Sequence, residues 1–177
     1  MVVFNYLVPG LFLNVTVKNT IQVGSGNLST GGRLVLGHVD SGTMVSEPGF
    51  ETQIKANVTY GNDWPTIDPD GRHGRPDLRS LVTTDDNEYL ELLATGIQTT
   101  IPELTSVITG TGNENIPFGA FQSVFVVSFR TGAPKYKNLE DSIFVASETV
   151  KSLGGGFFRA GLRISKLYST QTNITLE

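Results

Sequence analysis

The sequence predicts an all-β protein folded as a closed or nearly closed antiparallel barrel. Several segments alternate apolar and polar residues, and no segment shows a capped helical pattern of three turns. Turn-forming residues are abundant, with 20 Gly and 8 Pro among 177 residues. Eight or more strands must protect their edges, which a closed barrel does most economically. A two-sheet sandwich is the alternative.

The first clear strand is "LFLNVTV", where Leu11, Leu13, Val15 and Val17 alternate with more polar residues. The segment "ETQIKANVTY" repeats this pattern, with Tyr60 on its apolar side. Further strands are predicted over 33–39, 77–84, 88–95, 121–130, 142–147 and 157–168.

The connections between these strands are polar or glycine-rich. "TTDDNEY" and "SLGGGFF" are typical of hairpin turns, and "NLEDSIF" is the best short helix candidate, leading into a strand. Residues 97–118 are rich in Thr, Gly and Asn and predict a long loop, which could serve as a lid over a barrel mouth.

Composition bounds the domain count and excludes several functions. With 38% hydrophobic and 17% charged residues, the chain can bury one core, so we expect a single domain over 1–177. The net charge of -4 and the absence of a Lys/Arg cluster argue against a nucleic-acid partner. Without cysteine, the chain has no disulfide, thiolate zinc site or Cys nucleophile. The sequence does not decide between a monomer and a homodimer.

Four Asn-x-Ser/Thr sequons favour the secretory pathway, with a cytoplasmic protein as the alternative. The candidate glycosylation sites are Asn14, Asn27, Asn57 and Asn173. The start "MVVFNYLVPGLFLNV" lacks a basic n-region and is too short to span a bilayer. We interpret it as a first strand that follows Met1 in place of a signal peptide, and we expect no membrane span.

The stretch 60–92 gathers the only Trp and nearly half of the acidic residues. Its "TIDPDGRHGRPD" partly matches a calcium loop, but Thr stands at the first ligand position and Asp at the last, so we predict no metal site. An exposed charged turn explains Asp68 to Pro76 better.

Asp63, Asp77 and Arg79 lie at predicted strand ends within this stretch. If Asp77 and Arg79 face the lumen, Arg79 is a buried cation that needs Asp77 or Asp63 as its partner. An ion pair that only fills the barrel is an equal alternative. His38 shares a face with two leucines, so we expect it to point inward, either as a core residue or as an acid/base group.

Three parts of the chain carry a resemblance to a known family. The first is "GSGNLSTGGRLVLGHVDSGTMVSEPGFETQI", a glycine-containing loop and strand followed by a turn into a second strand. The second and most specific part comprises Gly61, Asp63, Trp64, Asp68, Asp70, Gly71, Asp77, Arg79, Leu81, Thr84, Asp85 and Asp86. The third comprises Phe129, Thr131, Tyr136, Leu139, Phe144 and Val145. In this order, over about residues 11–168, they resemble the small β-barrel family catalogued as domain of unknown function 3237, or uncharacterised protein family 0311.

The resemblance implies a lipocalin-like antiparallel barrel. It also suggests a subgroup of fungal secondary metabolism, the hetero-Diels-Alderases that join a tropolone-derived quinone methide to a macrocyclic sesquiterpene. Ser41-Gly42 and Asp86-Asn87 depart from the family's Gly-Gly and Asp-Gly, which affects loop geometry more than fold. The expected function is a cofactor-free cyclase acting on an apolar small molecule, and the alternative is a non-catalytic carrier barrel.

A cycloaddition needs apolar walls and a donor to the heterodiene oxygen. For the reaction that the resemblance suggests, we expect Arg79 to be the donor, Asp63 or Asp77 to orient it, and His38 or one of those carboxylates to move a proton. The expected substrate-binding residues are Tyr60, Trp64, Phe129, Tyr136 and Phe144. We expect the lumen to receive His38, Tyr60, Trp64, Arg79, Phe129 and Phe144 or their neighbours.

Overall fold

The computed structural model describes residues 4–169, most of which lie in β-strands. The strands are β1 (Tyr6–Lys18), β2 (Ile21–Gln22), β3 (Arg33–Ser46), β4 (Lys55–Asp63), β5 (Thr66–Ile67), β6 (His73–Arg75), β7 (Asp77–Thr84), β8 (Tyr89–Thr99), β9 (Asn115–Ile116), β10 (Ser123–Arg130), β11 (Phe144–Gly154) and β12 (Phe157–Tyr168). Two short helices, α1 (Pro102–Ile108) and α2 (Lys137–Glu140), cover the two ends of the sheet. A 3-10 turn, Pro134–Tyr136, leads into α2.

Eight long strands close a barrel in the order β1, β12, β11, β10, β8, β7, β4 and β3, with β3 returning to β1. All these neighbours are antiparallel. Within residues 4–169, closure leaves no long strand with a free edge. The predicted closed antiparallel barrel is confirmed, and the sandwich is excluded.

The polar stretch of the sequence forms a long hairpin that is interrupted by two prolines. Pro65 separates β4 from β5, and Pro76 separates β6 from β7. Proline cannot donate a ladder hydrogen bond, so each strand breaks at that point. Beyond the breaks, β5 and β6 pair with each other and with β3 and β8, and this hairpin tip forms part of the barrel mouth.

The end of the barrel next to α2 is filled by aromatic side chains. Phe144 lies edge-on to Phe129, with ring centroids 5.4 Å apart, and to Phe50 at 6.4 Å. Tyr136 is also buried, and its hydroxyl donates a 2.8 Å hydrogen bond to Asp86. The prediction that Phe129 and Phe144 face the interior is confirmed, whereas ligand contact by them or by Tyr136 stays a prediction.

Helix α1 covers the opposite end, which we call the mouth. It packs against β11 and β12, buries Leu104 and Val107, and accepts hydrogen bonds from Thr20 at its last carbonyl. The loop predicted over 97–118 is therefore wrong in part, because it contains α1 and the end of β8. The helix has 7 residues, too few to show a helical period, and it begins at a proline. None of the helices in residues 4–169 is long and apolar enough to span a bilayer.

A β-bulge in β4 reverses which side chains point inward. Val58 pairs with Val82 but Tyr60 pairs with Leu81, so Thr59 is the extra residue. One inserted residue moves every later side chain to the other face. Tyr60 is consequently 72% exposed, and the prediction that it faces the lumen is wrong.

The other polar residues predicted to face the lumen also lie outside. Leu78, Ser80 and Val82 take the inner face of β7, which leaves Arg79 on the outer face, exposed and paired with Asp77 at 3.4 Å. The lumen placement of Asp77 and Arg79 is therefore wrong.

The inward placement of His38 and Trp64 is wrong as well. In β3 the buried Gly37 and Val39 occupy the inner face, so His38 is exposed and lies 3.1 Å from the side-chain oxygen of Asn62. Trp64, next to the proline break, is 42% exposed.

The hairpin tip is the charged turn that the sequence indicated. Arg75 donates two hydrogen bonds to the Asp68 carboxylate, at 2.9 and 2.8 Å, and Asp70 accepts one from the main chain of Arg72. Across residues 4–169, no three His, Asp or Glu side chains are grouped closely enough to hold a metal ion.

Candidate active site

Inside the barrel, near the mouth, lies an apolar cavity of about 60 Å³. Most of its wall is aliphatic or aromatic, contributed by Val15, Val17, Leu78, Leu104, Ile108, Phe125, Val150, Phe158, Ala160 and Leu162. Two carboxylic acids, Asp63 and Glu148, interrupt this wall. A cavity of this size holds a few water molecules.

Asp63 reaches the cavity because it ends β4 after the bulge. Its carboxylate accepts a 2.9 Å hydrogen bond from the main-chain N–H of Asp77. Across the ladder the Trp64 N–H donates to the Asp77 carbonyl, at 3.1 Å. The break at Pro65 and Pro76 therefore holds Asp63 in a fixed position.

Glu148 enters the cavity from β11, on the face that also carries Phe144, Ala146 and Val150. The hydroxyl of Ser123, a buried residue at the start of β10, donates a 3.0 Å hydrogen bond to Glu148 Oε2. Ser123 pairs with Gln98 of β8, and Gln98 also lines the cavity.

Burial raises the pKa of both acids. The pKa of Asp63 rises to about 6 because desolvation outweighs the hydrogen bond from the Asp77 main chain. Desolvation raises the pKa of Glu148 to about 8, against the Ser123 hydrogen bond, and the negative charge of Asp63 adds to the rise. At neutral pH the cavity thus holds an ionised Asp63 and a protonated Glu148.

Within residues 4–169, no Lys, Arg or His lines the cavity. The pair is therefore different from an ion pair that fills a core, since no cation in the described part of the chain neutralises the charge of Asp63. Two carboxyl groups whose pKa values are pushed apart form a proton acceptor and a proton donor in one site. The arrangement can take a proton from one atom of a bound molecule and give a hydrogen bond or proton to another.

A second cavity of about 240 Å³ lies at the mouth and adjoins the first. We call the first the inner cavity and the second the mouth cavity. Five residues line both cavities: Thr20, Pro65, Gln98, Leu104 and Ile108. Ligand pockets usually measure ~300–1,000 Å³, so a ligand that reaches the carboxyl groups would occupy both cavities. Leu104 and Ile108 of α1 lie where the two meet.

Of the residues predicted from the sequence, only Asp63 lines the inner cavity. Of its expected partners, Asp77 contributes a main-chain N–H and Arg79 makes no contact with the cavity. Glu148 was missed because the predicted strand 142–147 ended one residue before it. The signal was present, since a carboxylate at Glu148 continues the otherwise apolar face of Phe144, Ala146 and Val150.

These features define the class of protein as an eight-stranded antiparallel barrel with an acidic pair in an apolar lumen. The family model described as "Protein of unknown function (DUF3237)" matches residues 6–166. The chain belongs to this family, as the resemblance predicted.

Solved structures share the fold at low sequence identity. A conserved protein of unknown function from Rhodopseudomonas palustris is 17% identical, with a TM-score of 0.74 over 93% of this chain and 99% of the other. A beta-barrel like protein from Acinetobacter baumannii is 20% identical, with a TM-score of 0.62 over 93% and 96%. An enzyme from Penicillium herquei is 13% identical, with a TM-score of 0.56 over 95% and 96%. No curated protein matches the chain.

Proposed function

We propose that the protein is a cofactor-independent enzyme that transfers protons within an apolar small molecule, with Asp63 as general base and Glu148 as general acid. The observation that carries this proposal is the pair of acids in one apolar cavity, with pKa values raised to about 6 and about 8. The likeness to a Penicillium herquei enzyme supports a catalytic barrel. A carrier needs an apolar cavity but has no use for a desolvated base.

A probe reaction tests the base without knowledge of the natural substrate. In 5-nitrobenzisoxazole a base removes the ring C–H proton, the electron pair forms a nitrile, and the N–O bond breaks to give a coloured phenolate. Asp63 would accept the proton, and the Glu148 O–H would donate a hydrogen bond to the leaving oxygen. Desolvated carboxylates are stronger bases than hydrated ones, so the cavity should accelerate this elimination.

We expect Asp63→Asn to lower the elimination rate roughly 100-fold, as for the loss of a general base. The wild-type rate should rise with pH through the pKa of Asp63, about 6, because only the ionised form accepts the proton. Absorbance of the phenolate product measures both. Asp40→Asn, at an exposed position of β3, is the matched control and should retain the full rate. Equal rates for wild type and Asp63→Asn would contradict the assignment and favour the carrier.

The narrower reaction that we propose is a hetero-Diels-Alder cyclisation in fungal secondary metabolism. Asp63 would take the phenolic proton of a hydroxymethyl phenol or tropolone while Glu148 protonates the departing hydroxyl, which gives water and a quinone methide. Asp63, which now carries the proton taken from the heterodiene oxygen, then replaces Arg79 as donor to that oxygen, because Arg79 lies outside the barrel. After the cycloaddition this proton returns to Glu148. A macrocyclic partner would have to displace Leu104 and Ile108. 2-(Hydroxymethyl)phenol with a small vinyl ether tests this step, and a racemic product formed at the uncatalysed rate would contradict it.

We also propose passage through the secretory pathway. Asn27 and Asn57 are exposed, whereas Asn14 is half-buried and its side-chain oxygen is enclosed without a partner in residues 4–169. Asn173 lies outside the described residues.

Expression in a eukaryotic secretory host should therefore add glycans at Asn27 and Asn57 but not at Asn14. Asn27→Gln and Asn57→Gln should each remove one glycan, seen as a smaller mass loss on endoglycosidase treatment. Asn14→Gln should leave the glycan mass unchanged. A secreted protein whose mass does not respond to endoglycosidase would contradict glycosylation at these sites.

A further inference from the structure

We propose that the mouth cavity binds the acidic headgroup of an amphiphilic substrate, with Arg33 as its counter-ion, while the apolar part of the substrate extends into the lumen. This rests on the proposed function for the chemistry at the inner end, but the recognition itself is a separate property. The substrate class is then a monoanion with an apolar body, such as a carboxylic acid.

The charge of the mouth cavity supports an anion. Among the described residues that line this cavity, Arg33, at the start of β3, is the only charged one. Within residues 4–169 no carboxylate forms an ion pair with it. The arginines that do form ion pairs, Arg75, Arg79 and Arg130, lie against Asp or Glu on the outer surface. An unpaired guanidinium at a cavity wall matches a planar carboxylate in two parallel hydrogen bonds.

Several polar side chains of the mouth cavity already use their hydrogen-bond donors within the protein. Thr20, Thr105 and Thr109 donate their hydroxyl hydrogens to main-chain carbonyls, and Gln22 donates its amide to Gly24.

The side chains of three other residues that line this cavity donate no hydrogen bond to any group within residues 4–169. These residues are Arg33, Gln98 and Thr100. Gln98 packs beside Gly74, where an added Cβ would lie 3.1 Å from the amide nitrogen. These three side chains are the ones available to a ligand headgroup.

The connection between the cavities sets the direction of the molecule. Pro65, Leu104 and Ile108 form an apolar passage between the mouth and the lumen, and Gln98 lies on both sides of it. Moving an apolar chain through this passage costs less desolvation free energy than moving a charged group through it. The anionic lumen also disfavours an anion, because Asp63 is ionised at neutral pH. The headgroup therefore stays at Arg33, and the apolar body approaches Asp63 and Glu148.

Octanoate and 1-octanol test the headgroup, since they share one alkyl chain. Isothermal titration calorimetry at neutral pH should show octanoate binding about tenfold more tightly than 1-octanol, as for a charge-assisted hydrogen bond. Arg33→Gln should make octanoate and 1-octanol equal. Arg33→Lys should keep part of the preference, because it keeps the charge without the fork. Arg79→Gln, on the outer surface, is the matched control and should retain the full preference.

The calorimetry and the elimination assay test the headgroup site and the proposed enzyme activity independently. Equal affinities of wild type for octanoate and 1-octanol, or an octanoate preference that survives in folded Arg33→Gln, would overturn the headgroup site even if the benzisoxazole elimination is accelerated. Octanoate binding through Arg33 without any accelerated elimination would support the site and overturn the enzyme. If both hold, octanoate should inhibit the elimination competitively, because the two molecules share the passage at Leu104.

Discussion

Replacement of Phe144 by alanine is expected to lower the free energy of unfolding by about 3 to 5 kcal/mol. Phe144 is fully buried, and its ring contacts both Phe129 and Phe50 edge-on. Truncation removes the apolar surface of the ring and leaves a cavity at the closed end of the barrel, where neighbouring strands are too constrained to collapse. Urea unfolding followed by tryptophan fluorescence and circular dichroism would measure the change.

A more conservative substitution at Phe144 separates a role in the core from the predicted ligand contact. Phe144 does not line the cavity that holds Asp63 and Glu148. Phe144→Leu should therefore keep most of the volume, cost less than about 1.5 kcal/mol and leave the elimination rate unchanged. The exposed Tyr60, replaced by alanine, is the matched aromatic control and should change stability by less than about 0.5 kcal/mol. A Phe144→Ala variant as stable as wild type would contradict close packing of aromatic side chains at the barrel end next to α2.

The second large effect is expected from Glu148→Gln, which should stabilise the protein at alkaline pH. In the unfolded chain the pKa of Glu148 has its ordinary value of 4.5, and in the folded protein it is about 8. Between these values the folded state holds a proton that the unfolded chain has lost. The free energy of unfolding therefore falls as pH rises from about 4.5 to about 8, and this contribution is constant above and below that window.

Over about 3.5 pKa units at ~1.4 kcal/mol per unit, the loss is on the order of 5 kcal/mol for wild type. The glutamine side chain of the variant stays neutral at every pH and keeps an acceptor for Ser123, so the variant should lose most of this fall. A smaller fall of the same sign should remain between 3.8 and about 6, because the pKa of Asp63 is also raised.

Urea midpoints across this pH range measure the two profiles. The matched control is Glu103→Gln at an exposed position of α1, which should follow wild type. Parallel profiles for wild type and Glu148→Gln would show that Glu148 is not desolvated.

Most of the barrel could be predicted from alternation, because burial of one face is a local property of each strand. Leu11, Leu13, Val15 and Val17 are buried as expected, and the hairpin turn at Asp86 forms where the sequence placed it. Alternation alone leaves a barrel and a sandwich open. The need to protect strand edges favoured closure, and the family resemblance supported it.

The candidate site was harder to predict because the β-bulge in β4 changes which of the later side chains point into the barrel. Nothing in the residue Thr59 marks it as the bulge, since threonine is also a good regular strand former. Without the bulge, Tyr60 points inward and Asp63 points outward, which is the reverse of the structure. In β7 both faces carry residues compatible with burial, so Arg79 and Leu78 compete for the lumen and only the pairing with β4 decides.

Because β1 pairs with β12, the barrel closes only after β12 has been synthesised. β1 lies between β3 and β12, so one of its two ladders is built from residues far apart in sequence. During synthesis, the segments from β3 to β11 can pair with neighbours that have already left the ribosome, but β1 keeps an open edge until residue 168 emerges. A nascent chain stalled before β12 would expose the edges of both β1 and β11, which are the surfaces on which strands from other chains add. Completion of β12 therefore covers the edges of β1 and β11 in one step.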